Sequence, residues 1–331
     1  MHEALSINSL SLKLVRKLLD NQAFYGVHSY QTSTGATVID AGVKVLGGFQ
    51  AGKILTEICL GGAGKAQLGL REYGEITIPS ITVSSDHPAV ATLASQFAGW
   101  RIKEPDGSIA IGSGPARALA LKPKEIYEEL GYADTSDKAV LTLESNNLPS
   151  DALIEKVSNA CKIKPENLFV VVAPTASTAG LTQVTGRIVE TGIHKLRTLG
   201  LNIKSIRFAM GYAPIPAQCC EFEVAMARTN DAILYGGTVY CIVDYNDEAV
   251  LKRIVEQAPS NMSKDYGKPF LQIFQEADRD FYKIDHNLFA PSTLLVNNAK
   301  TGKLFRAGEI NPEILAESLG FQSDSLICRK G

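Results

Sequence analysis

The chain has little net charge: 33 lysines and arginines against 35 aspartates and glutamates leave −2 over 331 residues. It has no run of basic residues, so it lacks the electrostatic footprint of a nucleic-acid binder. It equally lacks the strongly acidic surface of a halophile. Its six cysteines, at 59, 161, 219, 220, 241 and 328, include no C-x-x-C pair, which argues against a zinc or dithiol redox centre. Cys219 and Cys220 are adjacent and poorly placed to bridge each other, so the expectation is reduced thiols in a cytoplasmic protein. No stretch approaches the ~18 apolar residues of a membrane span. The N-terminal segment has no secretory pattern, because Lys13, Arg16 and Lys17 interrupt its leucines. Histidines number five, and His2, His28, His194 and His286 have no spacing that would assemble a zinc site. A G-x-S-x-G nucleophile elbow is missing, so covalent serine chemistry is not indicated.

What is present is a large apolar fraction, 45%, enough for about two domains of 100–200 residues. Strand and helix patterns alternate along the whole length. Residues 36–45 and 168–173 read as strands, the latter a central one. Residues 75–84 alternate apolar and polar as a half-buried strand does, and Pro79 in their middle predicts an edge strand or a bulge. Asp86 is placed to cap a helix that starts near Pro88 and runs over the apolar residues toward Trp100. Residues 10–19, 123–130, 151–161 (capped by Ser150), 221–231 and 265–277 read as helices. Residues 294–297 and 303–307 read as a hairpin. The expected class is α/β with an α+β tendency: two α/β domains, 1–180 and 181–331, with mixed, partly antiparallel sheets. That boundary is approximate, and the chain is free to cross it.

Several motifs could carry chemistry. Gly112-Ser113-Gly114-Pro115-Ala116-Arg117 joins a predicted strand, 108–111, to a helix. Amides at a helix start favour anions, so Ser113, Gly114 and Arg117 could hold a phosphate or carboxylate. A tight strand-to-helix turn would use the same glycines. Residues 61–65 read G-G-A-G-K but fail as a P-loop, because the spacing is wrong and Ala66 follows the lysine; they read as turn glycines. No dinucleotide fingerprint opens a helix either. His87, after Asp86, would titrate near neutrality or serve simply as the first turn of its helix. The aromatics and lysines of 265–270 and 281–285, with Phe289 just beyond, are core or a stacking surface for a flat heterocycle.

Residues 185–193 read T-G-R-I-V-E-T-G-I and otherwise pattern as a buried helix. Arg187 and Glu190, three apart, would project from one helical face. An arginine beside a carboxylate holds it ionised and aims it. Glycines recur at 180, 186 and 192, each costing roughly 1 kcal/mol against alanine in a helix. They suit a close approach to the backbone, by another helix or by a ligand. A structural ion pair on a glycine-packed helix and a catalytic carboxylate both fit these residues.

Together with S-D-H-P-A at 85–89, G-S-G-P-A-R-A-L-A-L-K-P-K-E at 112–125, V-A-P-T at 172–175, T-N-D-A-I-L-Y-G-G at 229–237, D-Y-G-K-P-F at 265–270 and A-G-K-I-L-T-E-I-C-L-G-G at 51–62, this stretch resembles methenyltetrahydromethanopterin cyclohydrolase of the archaeal or bacterial methylotroph type. The resemblance runs in order from about residue 7 to 317. It implies two α/β domains with the substrate in the cleft between them, commonly as a homotrimer. It implies one-carbon metabolism in methanogenesis or methylotrophic formaldehyde oxidation, with no metal or redox cofactor, no nucleic acid and no membrane. Tetrahydromethanopterin is the carrier of the substrate. The implied reaction is reversible: water adds to the methenyl carbon between N5 and N10, and the product carries an N5-formyl group. The methenyl bridge is a cationic amidinium and already electrophilic. The enzyme must supply a positioned water, a base, and a proton for N10 as that C–N bond breaks. The resemblance places Glu190 as that acid and base and Arg187 as its orienting partner. Asp86, His87, Ser113, Gly114, Arg117 and Phe289 are carried over as substrate-binding candidates. The competing expectation is a pterin carrier that binds without turnover.

Overall fold

In the computed structural model, residues 5–105, 107, 109–219 and 221–321 are described. The strands are β1 (His28–Gln31), β2 (Thr37–Asp40), β3 (Lys65–Tyr73), β4 (Ile76–Ser85), β5 (Trp100–Lys103), β6 (Ile109–Ser113), β7 (Ala139–Glu144), β8 (Leu168–Val172), β9 (Ile206–Pro214), β10 (Thr238–Val243), β11 (Thr293–Asn298) and β12 (Leu304–Gly308). They form two six-stranded sheets, ordered β1-β2-β8-β7-β6-β5 and β12-β11-β10-β9-β4-β3. The expected mixed α/β class is found. The chain crosses between the sheets three times, because β3 and β4 leave the first half of the sequence to pair in the second sheet.

In the first sheet β2, β8 and β7 run parallel, and β6 and β5 continue antiparallel. β8 is apolar at every position, and its residues are divided between two cores, as expected of a parallel strand covered on both faces. Helix Asp151–Cys161 packs on one face with Leu141, Val170 and Val172. Helices Ile7–Asp20 and Phe49–Cys59 cover the other, with Val140 and Val171. The second sheet is antiparallel except for β10 with β11. Ile188, Val189 and Ile193 of helix Ile188–Thr198 pack on it with Val239, Cys241 and Val296. No described helix is long and apolar enough to cross a membrane.

Several sequence expectations need correction. The strand expected over 36–45 stops at Asp40, whose carboxylate accepts the N–H groups of Gly42, Val43 and Lys44 at 2.7–2.9 Å and folds the chain into a loop. β4 is an interior strand, not an edge. Pro79 is tolerated because the ladder to β9 begins at Ser80, and Pro79 contributes only its carbonyl, to Ile215 N at 2.7 Å. The helix expected over 265–277 forms only from Phe270 to Glu276, beginning after Pro269. The helix after Asp86 is a π-helix over Val90–Gln96 that stops at Phe97, and Trp100 already belongs to β5. Ser108 of the expected strand 108–111 lies outside the described residues; β6 begins at Ile109.

Candidate active site

The π-helix Val90–Gln96 is the element around which the site is built. Helices of this type are rare and cluster at functional sites. Like any helix, it ends in carbonyls without intrahelical partners. Side chains from distant segments fill them. Arg117 Nη1 donates to Leu93 O at 3.1 Å and to Ser95 O at 3.0 Å. Tyr127 Oη donates to Ala94 O at 2.7 Å. The Gly114 amide donates to Ser95 O at 2.8 Å. Arg187 Nη1 donates to Gln96 O. Two cations thus meet a helix C-terminus, where the dipole favours them.

Arg187 is the hub between the two sheets. Its Nη2 donates to Ser113 Oγ at 3.0 Å, at the end of β6, and to Gln183 Oε1 at 3.4 Å. Cys59 Sγ stands 3.7 Å from Ser113 Oγ and 3.8 Å from Gln183 Oε1. Gln96 Nε2 donates to Gly186 O at 3.1 Å, and Gln96 Oε1 is buried without a partner among the described residues. This clustering arises because the chain breaks at Gly186 and Arg187, between helices Thr178–Thr185 and Ile188–Thr198. Arg187 is the N-cap residue of the second helix and Glu190 lies in its first turn.

The expected Arg187–Glu190 ion pair is therefore not a contact: no N···O distance between them falls within 4 Å. The guanidinium is spent on Gln96, Ser113 and Gln183. Glu190 is 8% exposed. Burial pushes its carboxyl up to about 7, against the opposing pull of the Arg187 and Arg117 charges. A carboxyl at that value can both accept and return a proton near neutrality. The regular glycines serve packing rather than a ligand. A Cβ at Gly180 would lie 1.8 Å from Pro174 O, one at Gly186 2.6 Å from Thr56 Cγ2, and one at Gly192 3.0 Å from Val239.

The remaining sequence candidates divide. Ser113 joins Arg187, as described. Gly114 and Arg117 do not form an open anion cradle. The Gly114 amide is occupied by Ser95 O, and Arg117 is fully buried, with Nε on Lys122 O at 2.8 Å and its face over Phe97 and Tyr127. The strand-to-helix turn is the reading that fits. Asp86 and His87 are exposed and line a surface cavity with Gly62, Gly64 and Lys65, at the opposite end of the π-helix, on the order of 10 Å from Gln96. The N-cap residue at that end is Ala89, with no side-chain cap, and Ser85 Oγ accepts from His87 N at 3.0 Å in the turn before it. Phe289 belongs to an aromatic core with Phe270, Phe281 and His286, not to the Arg187 cluster. Cys59, Gln96 and Gln183 join the cluster without having been candidates on sequence. Cys59 lies inside the 51–62 motif, which was its one available signal; the two glutamines carry none. No group of three or more His, Cys, Asp or Glu among the described residues could hold a metal ion.

The fold and site define an α/β protein whose seam holds a buried, weakly acidic carboxyl beside an arginine. The family model for Cyclohydrolase (MCH) matches residues 6–319, and the chain belongs to that family. It is 43% identical to the methenyltetrahydromethanopterin cyclohydrolase of Methanocaldococcus jannaschii, over 96% of this chain and 99% of the relative. It is 44% identical to the protein of that name from Methanospirillum hungatei, over 96% and 99%. The one from Methanothermobacter marburgensis is 42% identical over 95% and 99%.

Proposed function

We propose that the protein hydrolyses the N5,N10-methenyl bridge of methenyltetrahydromethanopterin, reversibly, to the N5-formyl compound. The names of its relatives over nearly their whole length supply the reaction. The observation that carries the residue assignment is the buried Glu190 carboxyl, raised to about 7, one turn from an arginine that ties the two sheets together. In the hydrolytic direction Glu190 takes a proton from water as its oxygen bonds to the methenyl carbon. It then gives a proton to N10 as the C–N10 bond breaks. The substrate cation becomes a neutral formyl product, so one proton is released overall. Arg187 acts as a positioning residue: it holds Ser113 and Gln96, and its charge keeps the Glu190 pKa from rising further. The homotrimeric state belongs to the same reading.

The methenyl chromophore disappears on hydrolysis and persists on binding, so absorbance separates an enzyme from a carrier. Wild-type protein is expected to bleach it, and Glu190→Gln to bind the substrate but lose about 10²–10⁴-fold in rate. Wild-type protein that binds the compound and leaves its spectrum intact would establish the carrier instead.

A further inference from the structure

We propose that His194 is the relay through which the buried Glu190 carboxyl exchanges its proton with solvent. This rests on the cyclohydrolase reading. The reaction sets the need. Water brings two protons to the methenyl carbon. One ends on N10 as the C–N10 bond breaks, and the other is surplus when the formyl C=O forms. Glu190, 8% exposed, takes the surplus proton and must lose it before the next turnover. In the reverse direction the same carboxyl must be recharged from solvent.

Helix Ile188–Thr198 supplies the path. Glu190 and His194 are four residues apart in it, so their side chains are neighbours on one face, with Cβ atoms about 5–6 Å apart. A carboxyl and an imidazole at that spacing exchange a proton directly or through one water. Packing against the end of the π-helix orders this face. Gln96 O takes the Arg187 guanidinium, and the next residue, Phe97, stacks on the His194 ring, with centroids 5.1 Å apart and planes at 12°. Arg117, whose charge reaches Glu190, also lies over Phe97. Beyond His194 the face leads outward. Arg197, three residues on, donates to Glu129 Oε2 from Nε and Nη2, each at 2.7 Å, and both side chains are partly exposed. His194 is itself partly exposed. It therefore stands between a buried acid and water.

The ring suits the role. Stacking on Phe97 holds its plane, and among the described residues no hydrogen bond occupies its nitrogens. A neutral imidazole accepts a proton on one nitrogen while carrying another on the second. It can take the Glu190 proton on one side and release one to solvent on the other. Burial, then the charges of Arg197 and Lys195, lowers its pKa from the ordinary 6.5. Arg117, over Phe97, adds a further cation nearby. The imidazole is thus neutral at pH 7 and does not trap the proton it receives.

The test is steady-state hydrolysis of methenyltetrahydromethanopterin by wild type and His194→Gln, in dilute buffer and then with added imidazole. In dilute buffer the variant is expected to lose on the order of 10²-fold in kcat. Its kcat/KM stays within a few-fold of wild type, because proton release follows the chemical step. Added imidazole restores the variant's kcat and leaves that of wild type unchanged. An unaltered kcat, or a loss that imidazole does not restore, overturns the relay. Absence of turnover by wild type overturns the cyclohydrolase reading instead. If His194→Gln shows no cooperative unfolding transition, kcat of wild type is measured in mixtures of H2O and D2O. A curved fall with deuterium fraction is expected, since more than one proton moves in the relay step, and a linear one rejects the proposal.

Discussion

Glu190 is the residue on which the proposed chemistry turns, and its environment makes two measurable demands. Because burial lifts its carboxyl to about 7, kcat/KM for hydrolysis should rise with pH through an apparent pKa near 7, as the base form appears. Arg187→Gln removes a charge that favours the ionised form, so the limb should move to higher pH. A limb left in place would show that Arg187 does not act through Glu190. The same shift enters stability. Between the ordinary value of 4.5 and about 7, the folded state binds more protons than the unfolded one. Stability is then fully present below 4.5 and is lost as pH rises through 7, by about 3 kcal/mol at most. Denaturant titrations at pH 5 and pH 8 should show Glu190→Gln losing less stability across that interval than wild type. The candidacy of Arg187 and Glu190 comes from the sequence, through the motif at 185–193. Their relation does not. Three residues of spacing suggest an ion pair, whereas the guanidinium bonds Gln96 and Ser113 and forms none with Glu190.

At the scale of the element, the π-helix is what the sequence concealed. Over seven residues that are mostly buried on all sides, an apolar pattern does not separate one helical period from another. What selects the wider turn is outside the segment: Arg117, Tyr127, Gly114 and Arg187 accommodate carbonyls 93–96. Tyr127→Phe leaves Ala94 O without its 2.7 Å donor, and should cost about 1–3 kcal/mol in chemical denaturation. Loss near zero would mean that the carbonyl finds another partner. Elements decided by local chemistry were read correctly: Ser150 caps helix Asp151–Cys161 through Leu153 N, and Gly131 ends helix Lys124–Leu130 in the left-handed conformation. Two of the misreadings, at 41–45 and 265–269, fall where the Asp40 carboxylate ended a strand and where Pro269 set the start of a helix.

For the whole molecule, the outer face of the second sheet is conspicuous. Met210 pairs with Tyr240 and Tyr240 with Leu295, while Phe208 pairs with Ile242. Phe208 is 48% and Met210 47% exposed. Apolar patches of this kind usually mark contact with another protein, and a homotrimer would have this surface to bury. Met210→Lys should therefore lower the mass seen by light scattering without altering the far-UV spectrum; a variant of unchanged mass would place the contact elsewhere. The sequence by itself determined the family, the α/β class, and most strands and helices. Those depend on local periodicity, capping and long motifs in order, all of which are written in consecutive residues. Only the tertiary structure decided that β3 and β4 cross to the second sheet, that the Gly114 amide and Arg117 meet the carbonyls at a helix end, and that Gln96, Ser113 and Gln183 converge on Arg187, with Cys59 beside the last two. These are contacts between segments tens of residues apart, fixed by which faces must be buried together and which carbonyls must find a donor.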